Sequence, residues 1–495
     1  MKVRAGAFIL LLALLASAAA EAARPRELLI VAPASFHPAL RDFMAFKKKL
    51  LPVEFKSLES ILAAGRGVDD PEKLKRFLYD QWRSHNLGYA LLVGGVDVMP
   101  VRYMVLDRVT PAAFNYSFYP SDLYYSALAR PDGSFDDWNA RKESFHALYF
   151  GEVRGEANKN DPINYDQVTY HPDIAVGRWP VSTAEQAHNI AAKTIVTERA
   201  VLSDVNPAVR RAGFLAVGGW VDARSFEDDM AARLSAGWSV EKRYYSDASR
   251  KSDLPPDHQQ AQWLFNRGAG LILHTGHGDS DVWEQCFSTA DLRALTNSGL
   301  FPVVISAGCS TAHFATLPPY EPYRDIYGKM HKGTDDREVF TAPPPPPSPY
   351  QRVHLYPSCL GEALLRSASN GAAAYIGCDT GSQPCGLTLV DGFIAALAES
   401  TEPRLGDCWA GAVKYYYQQE HLATIKPTAD WYPPSIFFQP MKFMLFGDPS
   451  LRLPSNQRLH AQHLGKRDSI ADDKFSMTNC QSTLWNSLAF RNGSG

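Results

Sequence analysis

The chain has 495 residues, enough for roughly two to four domains at about 100–200 residues each. Hydrophobic residues make up 45% and charged residues 21%, so the composition supports a packed core and excludes a disordered polymer. The formal net charge of −3 argues against nucleic acid as the main partner, and seven cysteines are too few for a disulfide-built scaffold.

The N-terminus has the pattern of a secretory signal peptide over residues 1–22. Lys2 and Arg4 precede an apolar run at 7–16, and small residues with A-x-A spacing follow. The run is too short to span a bilayer comfortably, and an uncleaved anchor is the alternative. We therefore expect a secreted, periplasmic or cell-surface protein with no membrane span in the mature chain.

Short apolar runs alternate with helical patterns along the chain. The predicted strands are residues 28–32, 90–93, 174–176, 214–217, 271–273, 303–305 and 372–376. Apolar residues recur at helical spacing over 71–85 and again after Ser182, which forms a capping-box pattern with Glu185. Continuous apolar strands with helices between them predict an α/β fold whose mostly parallel sheet is covered on both faces.

Three stretches depart from this alternation. Residues 130–165 contain an Asp-rich loop, and residues 318–358 contain five consecutive prolines, Pro343 to Pro347. Such a run forms neither a helix nor a central strand, so we interpret 318–358 as a surface insertion, with a lid or recognition segment as the alternative. Residues 455–495 are polar and without a sustained period, which predicts a C-terminal tail.

Two of the predicted strands end in residues suited to nucleophilic catalysis. The strand at 271–273 runs into a Gly-rich turn with His277, and the strand at 303–305 runs into Cys309. Parallel strands end at one edge of a sheet, so both side chains are expected at the same rim. A histidine there can take the thiol proton during attack, and the N–H groups of Gly278 and Cys309 are candidates for an oxyanion hole.

Other interpretations of these residues remain open at the level of pattern. A cysteine at a strand end is often a buried small hydrophobe, and a histidine is often structural. A metal site is the chemical competitor, although its spacing matches no common zinc pattern. Its ligands would be His274, His277, Cys286 and Cys309.

The motifs together resemble the gingipain family of cysteine peptidases, within the caspase-like clan. The matching segments run in order from residue 27 to residue 454: 89–95, 121–125, 173–178, 274–278, 306–309, 371–377 and 446–451. The resemblance implies a caspase-like three-layer α/β/α fold with mostly parallel sheets in two packed subdomains. It places an N-terminal subdomain at 27–205 and a catalytic subdomain at 210–454, with the insertion at 318–358.

The resemblance also assigns roles to individual residues. It implies Cys309 as the nucleophile, His277 as the general base and acid, and the N–H groups of Gly278 and Cys309 as the oxyanion hole. His274, one turn earlier, is expected to be structural. The substrates it implies are proteins or peptides, and the chemistry requires no cofactor.

The sequence departs from the family near the specificity pocket. Arginine-specific members orient the histidine with an acidic residue, whereas residues 217–219 here read Val-Gly-Gly. A backbone carbonyl or another acid would have to replace it. Asp222 is the candidate acid for a pocket that accepts a basic side chain, by charge pairing. Its rivals are Glu227, Asp228 and Asp229.

Two further features of the sequence suggest ligation or cross-linking. Asp132, Asp136 and Asp137 are candidate ligands for a structural calcium ion, because carboxylate oxygens suit that ion, although the spacing does not match an EF-hand loop. Six cysteines besides Cys309 allow fifteen pairings, so connectivity is not readable. A disulfide between residues 378 and 385 is one hypothesis.

The function that these patterns favour is a secreted cysteine endopeptidase that cleaves peptide bonds through a Cys-His dyad and a thioester acyl-enzyme. Two alternatives use the same residues differently. One is a sortase-like transpeptidase on the same fold, in which an amine instead of water resolves the thioester. The other is a catalytically inactive binding or adhesion module, which the missing orienting acid would support.

Overall fold

The structure is a computed structural model that describes residues 26–109, 115–351 and 358–456. The predicted signal peptide and residues 457–495 of the predicted tail lie outside the described residues. Within the described part, no helix is both long enough and apolar enough to cross a membrane.

The described elements alternate along the chain much as the sequence predicts. The α-helices are α1 His37–Lys47, α2 Leu58–Ala64, α3 Asp70–His85, α4 Leu123–Ser126, α5 Ala184–Ser203, α6 Arg224–Leu234, α7 His258–Arg267, α8 Leu360–Arg366, α9 Gly386–Glu399, α10 Leu405–Gln419 and α11 Tyr432–Phe438. The 3-10 helices are Ala34–Phe36, Ser144–Leu148, Pro207–Arg210, Thr289–Ala294 and Gln439–Lys442.

The strands follow the same alternation. They are β1 Glu27–Ala32, β2 Val53–Ser57, β3 Leu87–Val93, β4 Arg102–Asp107, β5 Tyr116–Ser121, β6 Ala175–Trp179, β7 Arg211–Ala216, β8 Ser239–Tyr244, β9 Leu271–Thr275, β10 Gly278–Asp279, β11 Val282–Trp283, β12 Phe287–Ser288, β13 Val303–Ser306, β14 Tyr323–Arg324, β15 Met330–His331, β16 Ala374–Cys378 and β17 Phe443–Phe446.

A ten-stranded sheet forms the centre of the molecule, in the order β2-β1-β3-β6-β17-β16-β13-β9-β7-β8. Its neighbours are parallel except β16 and β17, which pair antiparallel. Because β17 is parallel to β6 and antiparallel to β16, it joins the strands of both predicted subdomains into one sheet. The predicted α/β class with a mostly parallel sheet is confirmed.

Alternating side chains of the central strands supply cores on both faces of the sheet. Leu29 and Val31 of β1 belong to one buried cluster, and Leu28 and Ile30 belong to the other. The first cluster includes side chains of α3, α6, α9 and α10, and the second includes side chains of α1, α5, α7 and α8. The result is three layers, helix on sheet on helix, in agreement with the expected architecture.

Helix α3 begins and ends where the sequence indicates. The Asp69 side chain accepts a hydrogen bond from the Glu72 N–H at 3.0 Å, and Pro71 lies in the first turn. Asn86 adopts a left-handed conformation (φ 55°) after the last turn.

The cap of α5 differs from the prediction by one residue. Thr183, rather than Ser182, accepts the hydrogen bond from the Gln186 N–H, at 3.2 Å. The Gln186 side chain reaches back to the Ser182 N–H at 2.9 Å, so the first turn is closed from both directions. Ser182 and Thr183 are both possible N-cap residues from the sequence, and in the structure Thr183 is the N-cap.

The insertion packs on the N-terminal half of the chain over its described residues. The Pro318 carbonyl accepts from the N–H of Phe118 on β5, and the Pro349 carbonyl accepts from the N–H of Val101. The proline run contributes further carbonyls, including that of Pro344, which the Tyr149 hydroxyl contacts at 3.1 Å. The described part of this segment therefore packs against β5 and its neighbours, outside the ten-stranded sheet.

Candidate active site

The pairing of β9 with β13 determines which residues meet at the candidate active site. The two strands are parallel neighbours, with Ser306 opposite His274 in the register. The residues that follow them therefore emerge at the same carboxyl edge. A methyl group at Gly278 would lie 3.0 Å from the Cys309 carbonyl oxygen and 2.8 Å from Cγ2 of Thr311. The backbones of Gly278 and Cys309 are thus in close contact.

The His277 ring is held by a backbone carbonyl instead of a carboxylate. Its Nε2 lies 2.8 Å from the carbonyl oxygen of Gly219, in the loop after β7. A carbonyl only accepts hydrogen bonds, so we assign the ring proton of neutral His277 to Nε2. Nδ1 then carries a lone pair and can accept a proton.

The Cys309 thiol is half-buried and contacts the loop that follows β16. The Ser382 N–H donates to Sγ at 3.3 Å. Burial raises the pKa of the Cys309 thiol above its usual value, while the Ser382 N–H and the positive charge of Lys442 act to lower this pKa. The Asp279 carboxylate acts in the raising direction.

His274 is buried beneath this rim and has a structural environment. Its ring stacks on Trp283 with centroids 4.6 Å apart, and its Nδ1 lies 3.0 Å from the Ser306 hydroxyl. Burial lowers the pKa of His274 to about 3, so the ring is neutral at physiological pH. The alternative metal site is not formed, because no three His, Cys, Asp or Glu side chains in the described ranges could hold a metal ion.

Asp222, the predicted specificity acid, forms an ion pair within the protein. Its two carboxylate oxygens accept from Nε and Nη2 of Arg224 at 2.8 and 2.7 Å. The same guanidinium binds Asp247 at 2.8 Å. Asp228, an alternative candidate for the specificity acid, likewise forms ion pairs with a lysine and an arginine. The charge of Asp222 is therefore balanced by a neighbour two residues away.

Glu227 has a different environment from the other acids of this segment. It is fully buried on α6, and its Oε1 accepts from the Thr275 hydroxyl at 2.7 Å, two residues before His277. Its Oε2 has no hydrogen-bond partner within residues 26–109, 115–351 and 358–456. Burial raises the pKa of Glu227 to about 8, whereas Asp229 on the same helix is exposed.

The Asp-rich loop does not gather its carboxylates around a common point. Asp132 accepts from the N–H and hydroxyl of Ser134, at 2.9 and 2.6 Å, and Asp136 accepts from the Trp138 N–H at 3.1 Å. Asp137 forms an ion pair with a lysine of the same loop, and an arginine lies within 4 Å of both buried aspartates. In the part of the chain that the structure describes, no three His, Cys, Asp or Glu side chains could hold a metal ion, so these aspartates do not form the predicted calcium site, although Oδ2 of Asp136 has no hydrogen-bond partner there.

The hypothesis of a disulfide between Cys378 and Cys385 is not supported. Both side chains are buried, and both are free thiols in the structure. Burial raises the pKa of each thiol, so these cysteines act as small apolar core residues.

Sequence reasoning did not find Ser382, Gln439 or Lys442, which lie close to the nucleophile. They are 73 or more residues from Cys309 in the chain and carry no motif. The only sequence signal was their proximity to two recognised segments, the strand at 372–376 and the closing motif at 446–451.

Comparison with known proteins gives one family and a set of related folds. The model of peptidase family C25 matches residues 21–454. The crystal structure of the Arg-specific cysteine proteinase gingipain R (RgpB) is 16% identical, with a TM-score of 0.57, over 88% of this chain and 79% of that chain. No curated protein matches the chain.

Two further solved structures have a similar fold. The complex of the Porphyromonas gingivalis RgpB pro- and mature domains is 18% identical, with a TM-score of 0.55, over 86% of this chain and 79% of that chain. A structure described as a protease is 17% identical, with a TM-score of 0.56, over 87% and 78%. At these identities the neighbours establish the fold, and the family match over most of the chain establishes the relationship. The chain belongs to peptidase family C25, the gingipain family of cysteine peptidases.

Proposed function

We propose that the protein is a secreted cysteine endopeptidase in which Cys309 and His277 form the catalytic dyad. The observation that carries this proposal is the hydrogen bond from His277 Nε2 to the Gly219 carbonyl, 2.8 Å long. It gives the histidine a fixed orientation and a basic Nδ1 without an acidic partner. It also gives His277 an orienting partner other than an acid, and the lack of an orienting acid was the best support for an inactive module. Secretion rests on the signal pattern at 1–22.

The proposed reaction uses groups of the chain alone and requires no cofactor. His277 takes the proton of the Cys309 thiol, and the thiolate attacks the carbonyl carbon of the scissile bond. The N–H groups of Gly278 and Cys309 donate to the oxyanion, and their close backbones suit a shared acceptor. Protonated His277 then gives its proton to the leaving amine, and a thioester remains. Water, deprotonated by His277, releases the acid and restores the thiol.

We further propose Glu227, in place of Asp222, as the acid that favours a basic substrate side chain. Oε2 of Glu227 accepts no hydrogen bond from the residues that the structure describes, and Thr275 links the carboxyl group to the strand that precedes His277. An incoming ammonium or guanidinium group would favour the ionised carboxylate and pair with it. Gingipain R is named as Arg-specific, which agrees with this direction.

Substitution of the dyad in the full chain tests the proposal. Cys309→Ala and His277→Ala should each lower kcat/KM on a peptide library by about 1000-fold or more, because each removes a reacting group. Cys480→Ala and His188→Ala, outside the dyad, should cleave at the unsubstituted rate. Persistent cleavage by Cys309→Ala would refute the assignment. Mass spectra of products formed with an added amine separate hydrolysis from transpeptidation.

A further inference from the structure

The loop at residues 379–383, directly after β16, makes three contacts with Cys309 and the residue after it. The Thr380 carbonyl accepts from the N–H of Ser310 at 2.8 Å, and the Ser382 N–H donates to Cys309 Sγ at 3.3 Å. The Cys309 thiol in turn donates to the Ser382 carbonyl at 3.7 Å. The second contact places a backbone donor where a thiolate would gain most from it. What holds this loop in place therefore bears on the reactivity of Cys309.

The side-chain amide of Gln439 binds the loop at the residue that contacts the nucleophile and at the one after it. The side chain is fully buried, and its Nε2 donates to the Ser382 hydroxyl at 3.2 Å. Its Oε1 accepts from the Gln383 N–H at 3.4 Å. One amide group thus binds two consecutive residues of the loop and fixes the peptide unit between them.

Lys442, at the end of the same 3-10 helix, adds a second attachment and a charge. It is buried, and its Nζ donates to the Gly381 carbonyl at 3.0 Å. Its own carbonyl accepts from the Asp379 N–H at 2.9 Å. The loop is therefore bound to Lys442 at both its first and third residues. The ammonium group contacts Gly381, the residue that precedes Ser382 in the chain.

The acid beside Lys442 is Asp379, the first residue of the loop. Asp379 is fully buried, and among the described residues neither of its carboxylate oxygens has a hydrogen-bond partner. Burial raises the pKa of Asp379 well above its usual value, whereas the positive charge of Lys442 acts to lower this pKa. The charged groups that act on Cys309 are Lys442 and the opposing Asp279, while Glu321 and Lys442 act on Asp379.

We propose that Gln439 and Lys442 are positioning residues for the nucleophile, which direct the Ser382 N–H at Cys309 Sγ and place a positive charge near it. The inference rests on the proposed role of Cys309. It adds residues that contact neither the substrate nor the reacting atoms. Their effect is on how readily the thiol gives up its proton before attack, because donors and cations stabilise the thiolate more than the thiol.

The pH dependence of Cys309 alkylation by iodoacetamide tests the inference on the full chain, with modification located by peptide mapping. Lys442→Met and Gln439→Leu should move the midpoint to higher pH and slow alkylation at pH 7 by about tenfold, because the first removes a positive charge and the second releases the Ser382 N–H that donates to the thiolate. Lys442→Arg, which keeps the charge, should stay near the unsubstituted rate. Lys414→Met, an exposed lysine on α10, controls for net charge.

Unchanged alkylation profiles in folded Lys442→Met and Gln439→Leu would overturn the inference. Thermal unfolding identifies any variant that does not fold. The milder Lys442→Gln and Ser382→Ala then replace it, and an unchanged profile in these also overturns the inference. Alkylation requires no substrate, so its result does not depend on the cleavage assay. A failure of the proposed function would be seen in that assay, as persistent cleavage by Cys309→Ala.

Discussion

The buried carboxyl group of Glu227 makes the stability of the protein depend on pH in a predictable direction. Its pKa is raised by burial from the usual 4.5 to about 8, and its side chain is fully buried. In the unfolded chain the group ionises near its usual value. Between these two pH values the unfolded state has released a proton that the folded state still holds. The contribution of Glu227 to stability therefore falls as pH rises through this window.

The size of the effect follows from the two pKa values. They differ by about 3.5, and one pKa unit corresponds to about 1.36 kcal/mol, so ionisation of Glu227 disfavours folding by about 5 kcal/mol above pH 8. Glu227→Gln has nearly the shape of the protonated acid and does not ionise. The variant should match the unsubstituted protein near pH 4.5 and exceed it by several kcal/mol near pH 8.

Urea denaturation of both proteins at pH 4.5, 6 and 8 measures this difference, and the difference between variants cancels other titrating groups. Asp229→Asn, an exposed acid on the same helix, should show a gap that changes little with pH. A gap between Glu227→Gln and the unsubstituted protein that stays constant from pH 4.5 to 8 would refute the reasoning. The same variant should lose preference for basic side chains in a peptide library.

Other predictions concern the core and the oxyanion hole. Lys47 is fully buried between the carboxylates of Glu198 and Asp448, 2.7 and 2.9 Å from its Nζ, so Lys47→Met should lower the free energy of unfolding by about 3–5 kcal/mol in urea titrations. No loss would contradict the ion cluster. Gly278→Ala would place a methyl group 3.0 Å from the Cys309 carbonyl oxygen, so kcat should fall at least about 100-fold. Full activity in a steady-state assay would exclude this backbone from the site.

The residues that could be read from the sequence are those on consecutive strands of the parallel sheet. His277 and Cys309 follow neighbouring strands, and the rule that carboxyl ends share an edge was enough to bring the segments together. The closing motif was recognisable, and its Asp448 proves to bind Lys47 in the core. The sequence thus indicated the order of the elements and the edge that carries the chemistry.

The remaining features depended on side-chain directions that a linear pattern does not contain. Asp222 has the charge expected of a specificity acid, but its carboxylate forms an ion pair with Arg224. Glu227 looked equivalent, yet its helix directs it inward to Thr275. Aspartates of the loop at 132–137 were counted as ligands, although such residues commonly accept from N–H groups two residues later and form turns.

The central claim is that Cys309 forms a covalent acyl-enzyme with His277 as its base. Acid-quenched mass spectrometry of the full chain, mixed with a peptide substrate, tests it directly when followed by peptide mapping. The account predicts a thioester adduct of the acyl fragment on the peptide that contains Cys309, with formation slowed by about 1000-fold or more in His277→Ala. An adduct on another residue, or rapid formation in His277→Ala, would contradict the account.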